Sequence, residues 1–166
     1  MNTSTIKRSA IALVAILMAF GAFFGIQQAQ ALTSYDDIEA GDLVRGETFT
    51  AVYYIGADGL RYVFPNDKTY FTWYSDFESV EWISDSDLAK IQIGANVTYK
   101  PGVKMVKVTS DHRTYAIAAG GTLRHVTTEE VAIDMYGSSW NTMIDDVPDG
   151  FFSNYTVGDA IAVIGD

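Results

Sequence analysis

The carboxylates Asp145, Asp146 and Asp149, and separately Asp85 and Asp87, are near enough in sequence to share a hard cation such as calcium. Neither set completes a calcium-loop pattern, and loop solvation or helix capping explains the same residues, so no metal ligand is assigned. The two histidines are His112, in the polar stretch Ser110-Asp111-His112-Arg113, and His125, on a predicted strand between Arg124 and Val126. Two isolated imidazoles make a poor transition-metal site without carboxylate help, and no nucleophile-elbow sequence surrounds either one. A hydrolase would have to gather Asp145, Asp146 and Glu129 around His125 in one cleft, with a shifted pKa among them. Arg61 and Arg124 recur at what the sequence aligns as one strand position. A repeated guanidinium either recognises a ligand through its planar fork or ties strand to helix by an ion pair or an aromatic stack.

Aromatic side chains are plentiful: Tyr53, Tyr54, Tyr62, Tyr70, Trp73, Tyr74, Trp82 and Trp140 stand out. Most must be core. Strand alternation nevertheless puts Tyr54 on the face opposite Tyr53, and rings left exposed serve sugar stacking or protein contacts. The candidate binding residues are therefore Arg61, Arg124, Tyr54, Tyr62 and Trp82, with no catalytic residue, no metal and no cofactor. Asn96-Val97-Thr98 and Asn154-Tyr155-Thr156 match the N-glycosylation pattern, a match that is common by chance.

The elements that would position these residues begin after a secretory signal. Residues 1–31 combine Lys7 and Arg8, an uncharged apolar run from Ile11 to Ile26, and the small-residue pattern Ala29-Gln30-Ala31, with cleavage expected after Ala31. An uncleaved anchor is the alternative, although the run falls short of the ~20 apolar residues of a comfortable membrane span. The expected location is secreted or cell-surface, with membrane contact only through the signal segment. The chain has no cysteine, so disulfides and thiolate metal sites are excluded. Its formal net charge of −10 becomes more negative once Lys7 and Arg8 leave, which repels phosphate backbones and argues against nucleic acid. Scattered charges and abundant aromatics argue against disorder.

The strongest pattern is an internal repeat. Ile83, Leu88, Ile91, Gly94 and Val97 have the same spacing as Val147, Phe152, Tyr155, Gly158 and Ile161, and Tyr35, Ile38, Gly41 and Val44 repeat the last four positions. Upstream, the offset steps from 62 (Tyr53 to Tyr115) to 63 (Arg61 to Arg124) and to 64 (Ile83 to Val147), with one insertion placed in the Gly-rich turn and one after Trp140. Each unit opens with a hairpin signal: Phe49–Ile55, a turn at Ala57-Asp58-Gly59, then Leu60–Phe64; and Arg113–Ala118, Gly120-Gly121, then Leu123–Thr127. Met105–Val108 adds a preceding strand. Helix starts follow at Pro65-Asn66-Asp67, with Tyr70, Trp73, Tyr74 and Phe77 facing inward, and at Thr127-Thr128-Glu129-Glu130, with Val131, Ile133 and Met135 as apolar positions and Gly137 as the stop. After Phe77 or Trp140 the pattern predicts short helical turns and loop as far as the repeated glycine, where Gly41, Gly94 and Gly158 mark a positive φ or a close approach.

Tyr115, Ile117, Arg124, Val126, Trp140, Val147, Phe152, Tyr155, Gly158 and Ile161, with Phe77 replacing the Trp in the first unit, resemble a group of repeats of roughly fifty residues in secreted bacterial proteins, including those of candidate phyla with reduced genomes. The resemblance implies surface modules attached to varied partners and carries over no catalytic residue. The expected fold is α+β, two tandem β-hairpin-plus-short-helix repeats packed together: signal 1–31, partial repeat tail 32–44, unit 45–97 and unit 98–166. The expected function is an exported, non-enzymatic module presenting a binding or structural surface to an envelope protein or glycan. A carbohydrate or cell-wall-polymer binding module is the alternative, and a hydrolase stands behind both.

Overall fold

Local chemistry starts both main helices where the sequence predicts them. Asn66 accepts a hydrogen bond from the Thr69 N–H at 2.8 Å to open α1 (Asp67–Trp73), and Thr128 accepts one from the Val131 N–H at 3.3 Å to open α3 (Glu129–Tyr136). Gly137, at φ 82°, ends α3 in a conformation that glycine adopts without strain. The computed structural model describes residues 31–162. The expected signal segment lies outside the described residues apart from Ala31. Among the described residues no helix is long and apolar enough to cross a membrane.

The first unit contains β1 (Leu43–Arg45), β2 (Val52–Ile55), β3 (Arg61–Val63), α1, β4 (Val80–Trp82), α2 (Asp85–Leu88) and β5 (Ile93–Asn96). The second contains β6 (Met105–Val108), β7 (Tyr115–Ala118), β8 (Thr122–His125), α3, β9 (Ile144–Val147), α4 (Asp149–Phe152) and β10 (Thr156–Val157). The first sheet has the order β4-β1-β2-β3-β5 and the second, read from the matching edge, β9-β6-β7-β8-β10. In each sheet the central strand is antiparallel to both neighbours, and the edge strands pair in parallel with the strands inside them. Parallel pairing needs a crossover, which the helices supply. The chain is thus α+β, built from two units of one topology.

Each sheet buries both faces. On one face Leu43, Val52 and Phe64 meet Tyr70 of α1, and Met105, Ala116 and Val126 meet Val131 and Ala132 of α3. On the other, Val44 and Ile55 meet Leu88 and Ile91, and Val106, Ile117 and Leu123 meet Phe152 and Tyr155. Of the predicted apolar positions of α3, Val131 is buried and Ile133 and Met135 are exposed, because Val131 and Ala132 turn toward the sheet. Trp73 and Phe77, predicted to face inward, are 38% and 49% exposed.

Strands β4, β5, β9 and β10 lie where helical turns and loop were predicted; at two to four residues they are too short for alternation to reveal. The first sheet begins at Leu43, inside the predicted partial tail 32–44. Gly41 is the reason that tail misaligned. Its N–H donates to the Ile55 carbonyl at 2.8 Å, as the Gly102 N–H donates to Ile117 at 3.1 Å, and both glycines have positive φ, 106° and 74°. Gly41 therefore corresponds to Gly102, the turn before the first strand of each sheet. Gly94 and Gly158 form the true pair, and their reason is close approach: a Cβ would meet Tyr62 Cζ at 2.8 Å and Thr122 Cγ2 at 2.8 Å respectively.

The hairpin register corrects the alignment of Arg61 with Arg124. The Phe64 N–H donates to the Val52 carbonyl and the Val126 N–H to Thr114, so the offset is still 62 at the end of both hairpins and no insertion sits in the turn. Arg61 then corresponds to Leu123, and Arg124 to Tyr62. A one-residue slip moves a strand side chain to the opposite face, so the two arginines point to different sides of their sheets. The extra residues lie later, between the helix starts and β4 or β9, since Leu43 pairs with Val80 and Met105 with Ile144.

The linker 97–104 joins the units. Lys100 N–H donates to Thr72 Oγ1 at 2.9 Å and Trp73 Nε1 to the Thr98 carbonyl at 2.8 Å, which fixes the linker to the end of α1. Tyr99, 2% exposed, plugs into the core of the second unit, and its N–H donates to the Tyr155 hydroxyl at 3.2 Å. Asn96 Nδ2 donates to Asn154 Oδ1 at 3.1 Å across the same seam.

Candidate functional site

The register that separates the arginines brings Tyr54 and Tyr62 together. They are cross-strand partners on β2 and β3, so their side chains stand side by side on the α1 face of the first sheet. Phe64, two residues beyond Tyr62, shares that face, and the end of α1 adds Trp73 and Tyr74. These five rings line a cavity of about 650 Å³ that is completed by Asn96 and Thr98 from the seam and by Gly120 of the second unit. Among the described residues no charged side chain lines it. A second cavity of about 580 Å³ adjoins it through Phe64 and Asn96 and extends past Tyr70 and Phe77 to Phe151 of the second unit. Together they form an aromatic trough along the seam.

The rings are held in place. Tyr62 lies against two glycines, since a Cβ on Gly56 would meet its Cε2 at 2.6 Å and one on Gly94 its Cζ at 2.8 Å. Its hydroxyl donates to Asp58 Oδ2 at 2.5 Å, a bond that raises the Tyr62 pKa and lowers that of Asp58. The Trp73 indole is fixed by its N–H to Thr98 and by Lys100 Nζ, 5.8 Å from the ring centroid. Tyr74 is half-buried, and burial followed by the neighbouring Tyr54 raises its pKa, so its hydroxyl stays protonated and able to donate. Among the described residues the Tyr54, Tyr74 and Thr98 hydroxyls have no hydrogen-bond partner, and Asn96 Oδ1 is also open.

The second unit does not repeat the trough. At the offset of 62, Tyr54 becomes buried Ala116, Tyr62 becomes Arg124, Phe64 becomes Val126 and Trp73 becomes Met135. Of the five rings that line the cavity only Tyr74 has a ring at the equivalent place, Tyr136, and that ring packs on the second unit's core.

The other candidates lie elsewhere. Arg61 faces the α2 side, where its guanidinium donates to the Leu88 carbonyl at 2.7 Å and stacks 4.9 Å from the Tyr53 ring centroid; it ties strand to helix. Arg124, on the trough side of its own sheet, donates to the Asp159 carbonyl at 3.1 Å. Trp82 sits on edge strand β4, three strands from Tyr62, with the Arg45 guanidinium 3.9 Å from its ring centroid. Phe77 stacks on Tyr70 at 4.4 Å, and Trp140 packs on the core beneath α3.

The acid/base candidates do not assemble. His125, Tyr115, Val106 and Asp145 form one row across β8, β7, β6 and β9, so three strand spacings of about 4.8 Å separate the His125 and Asp145 backbones. His125 packs against the Tyr115 ring at 5.8 Å between centroids. Asp145 accepts from the Tyr99 hydroxyl and from Lys104, each at 3.2 Å, Asp146 pairs with Lys107 at 3.5 Å and Asp149 accepts from Ser110. In the first unit Asp85 accepts from Thr48, and Asp87 from Ser84 and Lys90. Among the described residues no three acidic or histidine side chains converge as metal ligands. The glycosylation pattern also meets an obstacle, since Asn96 and Asn154 bond to each other.

Of the residues that line the cavity, the sequence singles out Tyr54, by alternation, and Tyr62, and gives no such place to Trp73, Tyr74, Asn96, Thr98 and Gly120. The available signal was Trp73-Tyr74 at the end of a predicted helix, one ring more than a single inward face accommodates. Comparison with protein-family models, with curated proteins and with solved structures finds no match to this chain.

Proposed function

We propose that this chain is an exported, non-catalytic binding module of the cell envelope whose working surface is the aromatic trough along the seam of its two repeat units. The observation that carries the reading is the convergence of Tyr54, Tyr62, Phe64, Trp73 and Tyr74 on one uncharged cavity in only one of two units of the same topology. A purely structural repeat has no need to differ there. Pre-positioned, mostly half-buried rings beside free hydroxyls are the arrangement of a recognition site, where apolar area gives affinity and a few polar groups give orientation. Secretion and resemblance to bacterial surface repeats remain part of the same proposal, resting on the N-terminal signal pattern and the repeat.

The test is retention on a purified envelope fraction by wild type, Tyr54→Ala and Trp82→Ala protein, together with the location of the protein in cell fractions. The expected result is export, retention of wild type and Trp82→Ala, and loss of retention for Tyr54→Ala. Equal retention of all three would remove the trough from the function, and a cytoplasmic location would remove the envelope.

A further inference from the structure

We infer that the trough binds a neutral polysaccharide strand lying along the seam between the units. The inference rests on the trough being the binding site, and it names the ligand class.

The lining chemistry narrows the choice. Tyr54, Tyr62 and Trp73 bring aromatic area to the lining, and the partial negative charge of a ring face favours the weakly positive C–H face of a pyranose. An anionic glycan would meet no lining cation and, in the adjoining cavity, the Asp67 carboxylate; Lys100 Nζ, 5.8 Å from the Trp73 ring centroid, does not line the trough, and the protein is itself at −10, so the electrostatics disfavour an anionic ligand. The free polar groups are the Tyr54, Tyr74 and Thr98 hydroxyls, which both donate and accept, and Asn96 Oδ1, which only accepts. Sugar hydroxyls satisfy both kinds. A proline-rich peptide, the other ligand that docks on aromatic grooves, offers mainly carbonyl acceptors and leaves Asn96 Oδ1 unmet. The Trp73 indole N–H, the donor best suited to such carbonyls, is already bonded to Thr98. Length favours a polymer over a single sugar, because the adjoining cavities share Phe64 and Asn96 and continue to Phe77 and Phe151.

The experiment measures binding of the purified protein to soluble neutral β-glucan and chitin oligosaccharides, to polygalacturonate, and to a proline-rich peptide, at low and high salt. Wild type is compared with Trp73→Ala, Tyr54→Phe and Trp82→Ala. The expected result is binding to a neutral glycan that is unchanged by salt, weakened about tenfold or more by Trp73→Ala, weakened several-fold by Tyr54→Phe and unaffected by Trp82→Ala. Tyr54→Phe keeps the ring and the packing, so it tests the site even if Trp73→Ala destabilises the linker. Trough-dependent binding to polygalacturonate alone or to the peptide alone would overturn the glycan inference and leave the trough as the binding site. Neutral-glycan binding indifferent to both trough variants would overturn the inference and the trough reading together. Retention on an envelope fraction that needs the trough, with no affinity for either neutral glycan, would overturn the glycan inference only.

Discussion

The register of the two hairpins assigns the arginines different energetic roles, which Arg61→Ala and Arg124→Ala separate. Arg61 donates to the Leu88 carbonyl at the end of α2 at 2.7 Å and stacks on Tyr53. A hydrogen bond from a charged donor contributes about 1.5–3 kcal/mol and the stack about 0.5–1 kcal/mol. Against this, Arg61 Nε is buried without a partner, an opposing term of about 1 kcal/mol that disappears with the side chain. The net loss for Arg61→Ala is about 1–3 kcal/mol, which lowers Tm by roughly 3–10 °C for a chain of this size. Arg124 lies on the other face, and its bond to the Asp159 carbonyl is exposed, so the loss of that bond costs under about 1 kcal/mol. Urea and thermal unfolding of the two variants measure the difference. Equal losses would mean that the arginines are equivalent after all and that the one-residue shift between the units is wrong.

Gly94→Ala places a methyl group 2.8 Å from Tyr62 Cζ, so the ring must tilt out of its seat; we expect trough-dependent retention to fall several-fold while circular dichroism stays native. Leu123, fully buried among Tyr99, Val106 and Val147, occupies the position of Arg61, and Leu123→Ala should cost about 2–5 kcal/mol in urea unfolding; a loss under about 1 kcal/mol would contradict its burial. Burial pushes the Tyr99, Tyr136 and Tyr155 phenols up. Their folded pKa values lie above the unfolded value of about 10, so their contribution is complete below pH 10 and declines as pH rises toward the folded values. The urea midpoint should therefore fall above about pH 10, and ultraviolet difference spectra should show late-ionising phenols that titrate normally in denaturant. At the other end, hydrogen bonds from Arg113, Thr48 and Lys90 hold Asp111, Asp85 and Asp87 below the usual carboxylate range, so stability present at neutral pH should be lost on acidification below about pH 4; a midpoint that stays flat there would contradict these bonds.

The hairpins and helix starts were legible because their causes are local: Asn66 and Thr128 cap through their own side chains, and Gly59, at φ 76°, makes its turn within a few residues. The strands after each helix were not, because β4 and β5 exist only through pairing with β1 and β3, contacts remote in sequence. Arg61 and Arg124 misled because both precede a valine by two residues, a match that the backbone ladder does not follow. Tyr54 and Tyr62 were legible because alternation fixes a strand's faces. The distance of Trp82 from the trough was not legible, since β4 and the Arg45 that covers the Trp82 ring are brought together by strand pairing. Trp73 could not be placed in the site because its exposure depends on where the linker docks.

Gly120 and Thr98 give the trough a wall from the second unit and one from the linker, while its floor belongs to the first. Any molecule seated there touches both halves of the chain and acts as a fastener between them. By linkage, whatever tightens the seam must raise affinity in the same proportion as the occupant tightens the seam. A protein of this build is stiffest when loaded, and its two units, pulled apart, would let go of each other and of the ligand in one step.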